Sequence, residues 1–174
     1  MGFERVGSEE VWRGNIAAVR VDSFRHDDGE VVTREIVEHP GAVTVLPFDG
    51  SKIWLVRQPR EPVGAQSLLE LPAGKLDVED EDPLQTARRE LSEEIGKGAH
   101  DWRKLVSIYN SPGILSEINH LFLAQDLYDE KLHAEEEERI EIVALPVDDL
   151  DDAIQDLQDA KTLIGLLWFR AYCR

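Results

Sequence analysis

Three glutamates crowd into five residues of this 174-residue chain, at Glu90, Glu93 and Glu94, with Arg89 immediately before them. On a helix of about 100° per residue, Glu90 and Glu94 share one side, and Arg89 and Glu93 share another. Like charges four residues apart destabilise a helix slightly, and an opposite charge at that spacing offsets the cost. Arg89 can pair with Glu93, but nothing within the stretch Pro83 to Ile95 neutralises Glu90 and Glu94. Carboxylates short of cations suit a hard divalent ion such as Mg²⁺, which takes oxygen ligands, keeps several waters and needs few protein groups. The same spacing also describes a solvated acidic face. The preceding loop favours the metal, because Ala73 and Gly74 let the backbone come close to an ion and offer a carbonyl as ligand.

The elements that must position these groups are legible in the pattern. Leu84, Ala87, Leu91 and Ile95 recur as one apolar stripe, so Pro83 to Ile95 is expected to be a helix lying on a sheet. Asp82 suits its N-cap, Pro83 its first turn, Gln85 the reciprocal cap, and Gly96 its end. A second helical stretch begins near Asp148 and gathers Leu163, Ile164, Leu166, Leu167, Trp168 and Phe169. Strands are expected at 11–21 and 30–37, joined by the turn 26–29 into an N-terminal antiparallel hairpin. Ala42 to Pro47 and Lys52 to Arg57 flank Asp49-Gly50 and read as a second hairpin. Further strands are expected at 67–71, 102–109, 119–124 and 140–145. Strands in hairpins, without regular alternation with helices, indicate an α+β chain with a mixed sheet and a helix on each face.

Composition narrows the function. Apolar residues are 42% and charged residues 32%, as in ordinary globular proteins, and the length fits one domain with at most a small extra lobe. The net charge of −17 repels nucleic acid and anionic membranes. An anionic substrate would need metal ions and well-placed arginines to reverse that field locally. No apolar run is long enough to span a bilayer, and no secretory signal is visible at the start. The single cysteine, Cys173, cannot form an internal disulfide, so a cytoplasmic location is expected. The five histidines lack zinc spacing, and neither a phosphate-binding Gly-Lys-Ser/Thr loop nor a serine nucleophile elbow is present. Direct attack by water fits this inventory better than a covalent intermediate.

The segment Gly74 to Gly96 resembles the Nudix box. Glu81 is followed, seven residues on, by Arg89-Glu90-Leu91-Ser92-Glu93-Glu94-Ile95-Gly96. Two positions depart from the pattern: six residues separate Gly74 from Glu81, one more than is usual, and Lys97 stands where an apolar residue is common. The chain is most similar to the ADP-ribose pyrophosphatase branch. Val56 to Arg60 with Leu69 to Gly74, Pro112 placed 16 residues after Gly96, and Asp159 to Gly165 carry that likeness.

The resemblance implies a Nudix-type α/β/α sandwich with a mixed sheet at 39–174, preceded by a small antiparallel β domain at 1–38 that serves dimerisation. It implies Mg²⁺-dependent hydrolysis of ADP-ribose to AMP and ribose 5-phosphate, with Mn²⁺ as a possible substitute. Other nucleoside diphosphate sugars, or a non-catalytic ADP-ribose sensor, are the alternatives. The partners implied are a nucleotide-sugar substrate and a second copy of the chain, with no nucleic acid and no membrane.

Residue roles follow from the same resemblance. Glu90 and Glu94 bind metal, Glu93 assists binding and catalysis, and Ala73 supplies a carbonyl. Arg89 orients the carboxylates and Glu81 supports the loop. The general base is expected in the run Glu135 to Glu138, with Glu138 favoured and Glu136 next; Glu117 is a further candidate. Arg60 is expected on the phosphates or terminal ribose, with Arg57 its neighbour on the same strand. Glu70 could accept hydrogen bonds from adenine or ribose, and Trp12 could stack on adenine.

Overall fold

The computed structural model describes residues 2–78, 80–130 and 139–173. The chain divides into two compact units, residues 1–41 with 109–118, and residues 42–108 with 119–174.

The first unit is built on three antiparallel strands in the order β1-β2-β3: β1 (Phe3–Arg13), β2 (Ala18–His26) and β3 (Val31–Glu38). The stretch 11–21, expected to be one strand, is broken. Gly14 donates to the Ala17 carbonyl at 2.9 Å, closing a turn between β1 and β2. The sheet therefore has a third strand that the alternation did not reveal. Asp22 is buried in it and receives the Ser8 hydroxyl at 2.6 Å, which holds its carboxyl below the usual range, with Arg20 and Arg5 also favouring the charge. Segment 109–118 is tied to β3 by Val37 N–H to Ile114 O at 2.8 Å and Ser116 N–H to Val37 O at 3.0 Å.

The second unit has two sheets. One runs β7-β4-β9-β8, made of β4 (Ala42–Pro47), β7 (Ala73–Lys75), β8 (Lys97–Tyr109) and β9 (Ile118–Asp129). The other runs β10-β5-β6, made of β5 (Lys52–Arg60), β6 (Ala65–Glu70) and β10 (Glu141–Pro146). β4 and β9 are parallel and the pairs β4–β7, β5–β6 and β5–β10 antiparallel, so the sheet is mixed as expected. The expected β4–β5 hairpin does not form. Asp49 does turn the chain, its carboxylate accepting from the N–H groups of Ser51 and Lys52, but the two strands then enter different sheets. Only a single bridge, Phe48 to Ile53, joins them.

Three α-helices are present among the described residues: α1 (Pro83–Ile95), α2 (Leu150–Asp156) and α3 (Ala160–Tyr172). The stretch read as one helix from Asp148 is thus two, separated at Leu157, whose backbone is extended. Every residue of β4 is buried because both faces are covered. Val43 and Val45 of β4 join Phe122 and Ala124 of β9 against Ala87, Leu91 and Ile95 of α1. Leu46 and Leu123 join the opposite cluster, with Leu150, Leu166 and Phe169 from α2 and α3. Alternation along each strand thus splits the core into two faces.

Both ends of α1 carry the expected caps. Asp82 Oδ1 accepts from Leu84 and Gln85 N–H at 2.8 and 3.0 Å, and Gln85 Oε1 accepts from Asp82 N–H at 3.0 Å. Gly96 ends the helix at φ 71°, a conformation open to glycine. Replacing Asp82 by Ala removes the cap bonds and should cost about 1 kcal/mol of unfolding free energy. Urea denaturation measures this; a midpoint unchanged from wild type would contradict it.

Candidate functional site

The site begins where β6 runs into β7 and faces α1. Ala73 N–H donates to Glu94 Oε2 at 3.1 Å, so strand and helix meet at that carboxylate, which is buried at 8% exposure. One residue on, Gly74 lies against Glu90. A Cβ at this position would overlap the Glu90 carboxylate and displace it, so glycine suits this close approach. The expectation that Glu90 has no cation nearby is corrected. Arg89 Nη1 lies 2.8 Å from Glu90 Oε1 and equally close to Glu93 Oε2. Neighbours in sequence do not face one another on a helix, but the long guanidinium bends round to bridge both.

Glu81 completes this arrangement. Its Oε2 accepts from the Thr86 hydroxyl at 3.0 Å and stands 3.5 Å from Arg89 Nη2. The extra residue in the preceding loop accompanies a left-handed backbone at Asp80, φ 64°, which Asp tolerates better than most side chains. Burial alone would lower the Arg89 pKa, but Glu90, Glu93 and Glu81 outweigh it and raise it.

These groups are oxygen donors in a tight cluster. Among the described residues, no three His, Cys, Asp or Glu side chains already converge as a finished cage. The donor set nevertheless fits a hard divalent ion, which needs only a few carboxylates and keeps water in its other positions. Gly74 leaves room for Glu90 in just this place.

A second charged group lies at the other end of the same strand segment. Glu70 is 1% exposed, and Arg60 grips it twice, Nε to Oε1 at 2.6 Å and Nη2 to Oε2 at 2.9 Å. Lys161 Nζ donates to Glu70 Oε2 at 2.5 Å and to Asp159 Oδ1 at 2.9 Å. Burial would raise the Glu70 pKa, but its bond to Arg60 and the charge of Lys161 prevail and lower it. Arg60 is raised chiefly by its bond to Glu70, and the charges of Glu94 and Asp159 also reach it. No motif in the sequence assigns Lys161 a role. Its partner lies 91 residues away, and only its place in the stretch 159–165 marked it.

A NUDIX domain model matches residues 38–165. The chain belongs to the Nudix hydrolase family. It is 36% identical to an ADP-ribose pyrophosphatase of Bacillus subtilis over 95% of this chain and 91% of that protein. An ADP-ribose pyrophosphatase of Mycobacterium tuberculosis is 44% identical over 72% of this chain and 60% of its own length. A crystal structure of an ADP compounds hydrolase superposes with a TM-score of 0.86 at 25% identity, covering 99% of this chain and 94% of that one. The Nudix fold of the second unit and the antiparallel sheet of the first therefore agree with what the resemblance implied.

Within this Nudix frame, Ala73, Glu81, Arg89, Glu90, Glu93 and Glu94 come together around α1, and Arg60 pairs with Glu70. Arg57 points elsewhere. It is exposed and reaches Glu141 of β10 at 4.0 Å. Trp12 belongs to the N-terminal unit, where its ring lies over Gly14 so closely that a side chain there would displace it. Glu117, in the same unit, accepts from Asn110 Nδ2 at 2.7 Å. Glu136 and Glu138 lie outside the described residues. Lys97, the departure at the end of the box, sets its ammonium 4.8 Å from the Trp54 ring centre and 2.9 Å from Asp129.

The lowered Glu70 pKa makes a pH prediction. The unfolded carboxyl titrates near about 4.3. The stabilisation is complete above that value and is lost as pH falls through the lower folded one. Glu70→Gln should therefore be less stable than wild type at pH 7, with the gap closing on acidification below about pH 4. Urea midpoints across that range measure it; a gap independent of pH would contradict the assignment.

Proposed function

We propose that the protein hydrolyses the diphosphate of ADP-ribose to AMP and ribose 5-phosphate with the aid of Mg²⁺. One observation carries this reading. The box carboxylates Glu90, Glu93 and Glu94 are all retained and gathered at Arg89 and Ala73, in a chain similar over nearly its whole length to an ADP-ribose pyrophosphatase. A sensor that has given up catalysis has no need of that set.

In this reading Glu90 and Glu94 hold the metal, with the Ala73 carbonyl and with Glu93 assisting. When bound, Mg²⁺ supplies charge neutralisation for the diphosphate and a lowered pKa for water. Arg89 keeps the carboxylates in register, and Glu81 steadies Arg89. Arg60 offers a guanidinium to phosphate or ribose oxygens, an arrangement suited to its planar fork. Glu138, or Glu136 beside it, takes the proton from the attacking water as general base. Water attacks one phosphorus directly, the bridging phosphorus–oxygen bond of the diphosphate breaks, and AMP and ribose 5-phosphate are released, one carrying the oxygen of water and the other the bridging oxygen.

We further read the N-terminal sheet as the dimer surface. Strand β1 is exposed along its whole length and displays Phe3, Val11 and Trp12 to solvent, apolar area that a second copy would cover. Sedimentation should give twice the chain mass, and a monomer at micromolar concentration would contradict this.

The activity is tested by incubating the protein with ADP-ribose and Mg²⁺ and separating the products by chromatography. AMP should appear with metal and be absent with EDTA. Glu94→Gln should lower turnover more than about 100-fold, beyond what losing an outer-shell partner costs, while leaving the melting temperature near that of wild type. Unchanged turnover would remove the metal assignment. Binding of ADP-ribose without cleavage would turn the reading to a sensor, and preference for other nucleotide sugars would reassign the substrate within the class.

A further inference from the structure

The charged group at Glu70 contains more than a substrate-binding arginine needs. Arg60 spends Nε and Nη2 on Glu70, and among the described residues its Nη1 has no hydrogen-bond or ion-pair partner. That edge is available, and the field of Glu94 reaches the guanidinium, which puts Arg60 electrically beside the carboxylate cluster of α1.

Glu70 is held as firmly from its other side. Lys161 is largely buried and bonds the same Oε2 that receives Arg60 Nη2. Asp159 fixes Lys161 in turn, and also accepts from Thr162 N–H at 2.9 Å and from its hydroxyl at 2.5 Å. Thr162 Oγ1 accepts from Leu71 N–H at 2.7 Å, so the first turn of α3 is anchored to the residue next to Glu70. Two carboxylates, the buried Glu70 and the half-buried Asp159, thus share one ammonium. Without it, both would turn to the remaining cation, Arg60, and draw its guanidinium away from an incoming anion.

Resting on the reading of this site as a diphosphate hydrolase, we infer that Lys161 is a positioning residue. It neutralises the Glu70–Asp159 pair and fixes the Glu70 carboxylate, so that Arg60 keeps its Nη1 edge for a phosphate oxygen of the substrate. Lys161 touches no reacting atom and acts through Arg60.

A double-mutant cycle read in KM and kcat tests this. Wild-type enzyme must first turn over ADP-ribose, or the nucleotide sugar that the substrate panel selects; failure there refutes the activity and not the lysine. Lys161→Met should then raise KM by about 10-fold, as loss of an outer-shell partner does, with kcat nearly unchanged. Lys161→Arg, which keeps the charge, should recover most of the loss. In an Arg60→Gln background, Lys161→Met should add no further change, because the group it acts through is gone. Should Lys161→Met not fold, Lys161→Gln is measured in its place. An unchanged KM, a fall confined to kcat, or an undiminished effect in the Arg60→Gln background would each overturn the inference.

Discussion

The site depends on one arginine placed among three carboxylates. Glu90, Glu93 and Glu81 are all within 3.5 Å of the Arg89 guanidinium, while the helix bearing Glu90 and Glu93 is pinned to the sheet by Ala87, Leu91 and Ile95. A helix with this much like charge beside its buried stripe would resist docking. The raised pKa of Arg89 records how strongly the carboxylates favour its charge, against the opposing effect of burial. Glu94, the deepest of the glutamates on α1, turns instead to the Ala73 N–H. A charge-assisted bond to backbone is a stronger constraint than a neutral one, and it fixes the distance between strand and helix at the point where chemistry is proposed.

That constraint extends along residues 70–74, where successive residues each serve a different element. Glu70 receives Arg60 and Lys161, and Leu71 N–H meets Thr162 of α3. Pro72 O accepts from Val45 N–H of β4 at 2.8 Å. Ala73 meets Glu94, and Gly74 gives way to Glu90. One short stretch of backbone therefore links the carboxylate cluster, the arginine proposed for substrate and the C-terminal helix. A shift in any of these elements would be felt by the others, which is why a lysine on α3 can bear on an arginine on β5.

Legibility in the sequence followed the range of the forces involved. Helix α1 was readable to the residue because its signals are local: an apolar stripe of helical period, Asp82 and Pro83 at the start, and Gly96 at the end. Strand partners were not. The apolar runs of β4 and β5 on either side of Asp49-Gly50 look like any hairpin, although the two strands pair in separate sheets. Gly14 was taken into a strand because its neighbours alternate, although it forms a turn. The cluster at Arg89 was legible through the box spacing, but the Arg89–Glu90 bridge was not, since adjacent helical residues diverge in ideal geometry. Lys161 was marked only by its place in the stretch 159–165, and its buried partner Glu70 comes near only in the folded chain.

The carboxylates of α1 are proposed to form a divalent-metal site. The most direct test is Mn²⁺ binding followed by electron paramagnetic resonance, comparing wild type with Glu94→Gln in the presence and absence of ADP-ribose. The free-ion signal should be lost with wild type, more strongly with nucleotide, and much less with the variant. Equal binding by both proteins would contradict this and place the metal elsewhere.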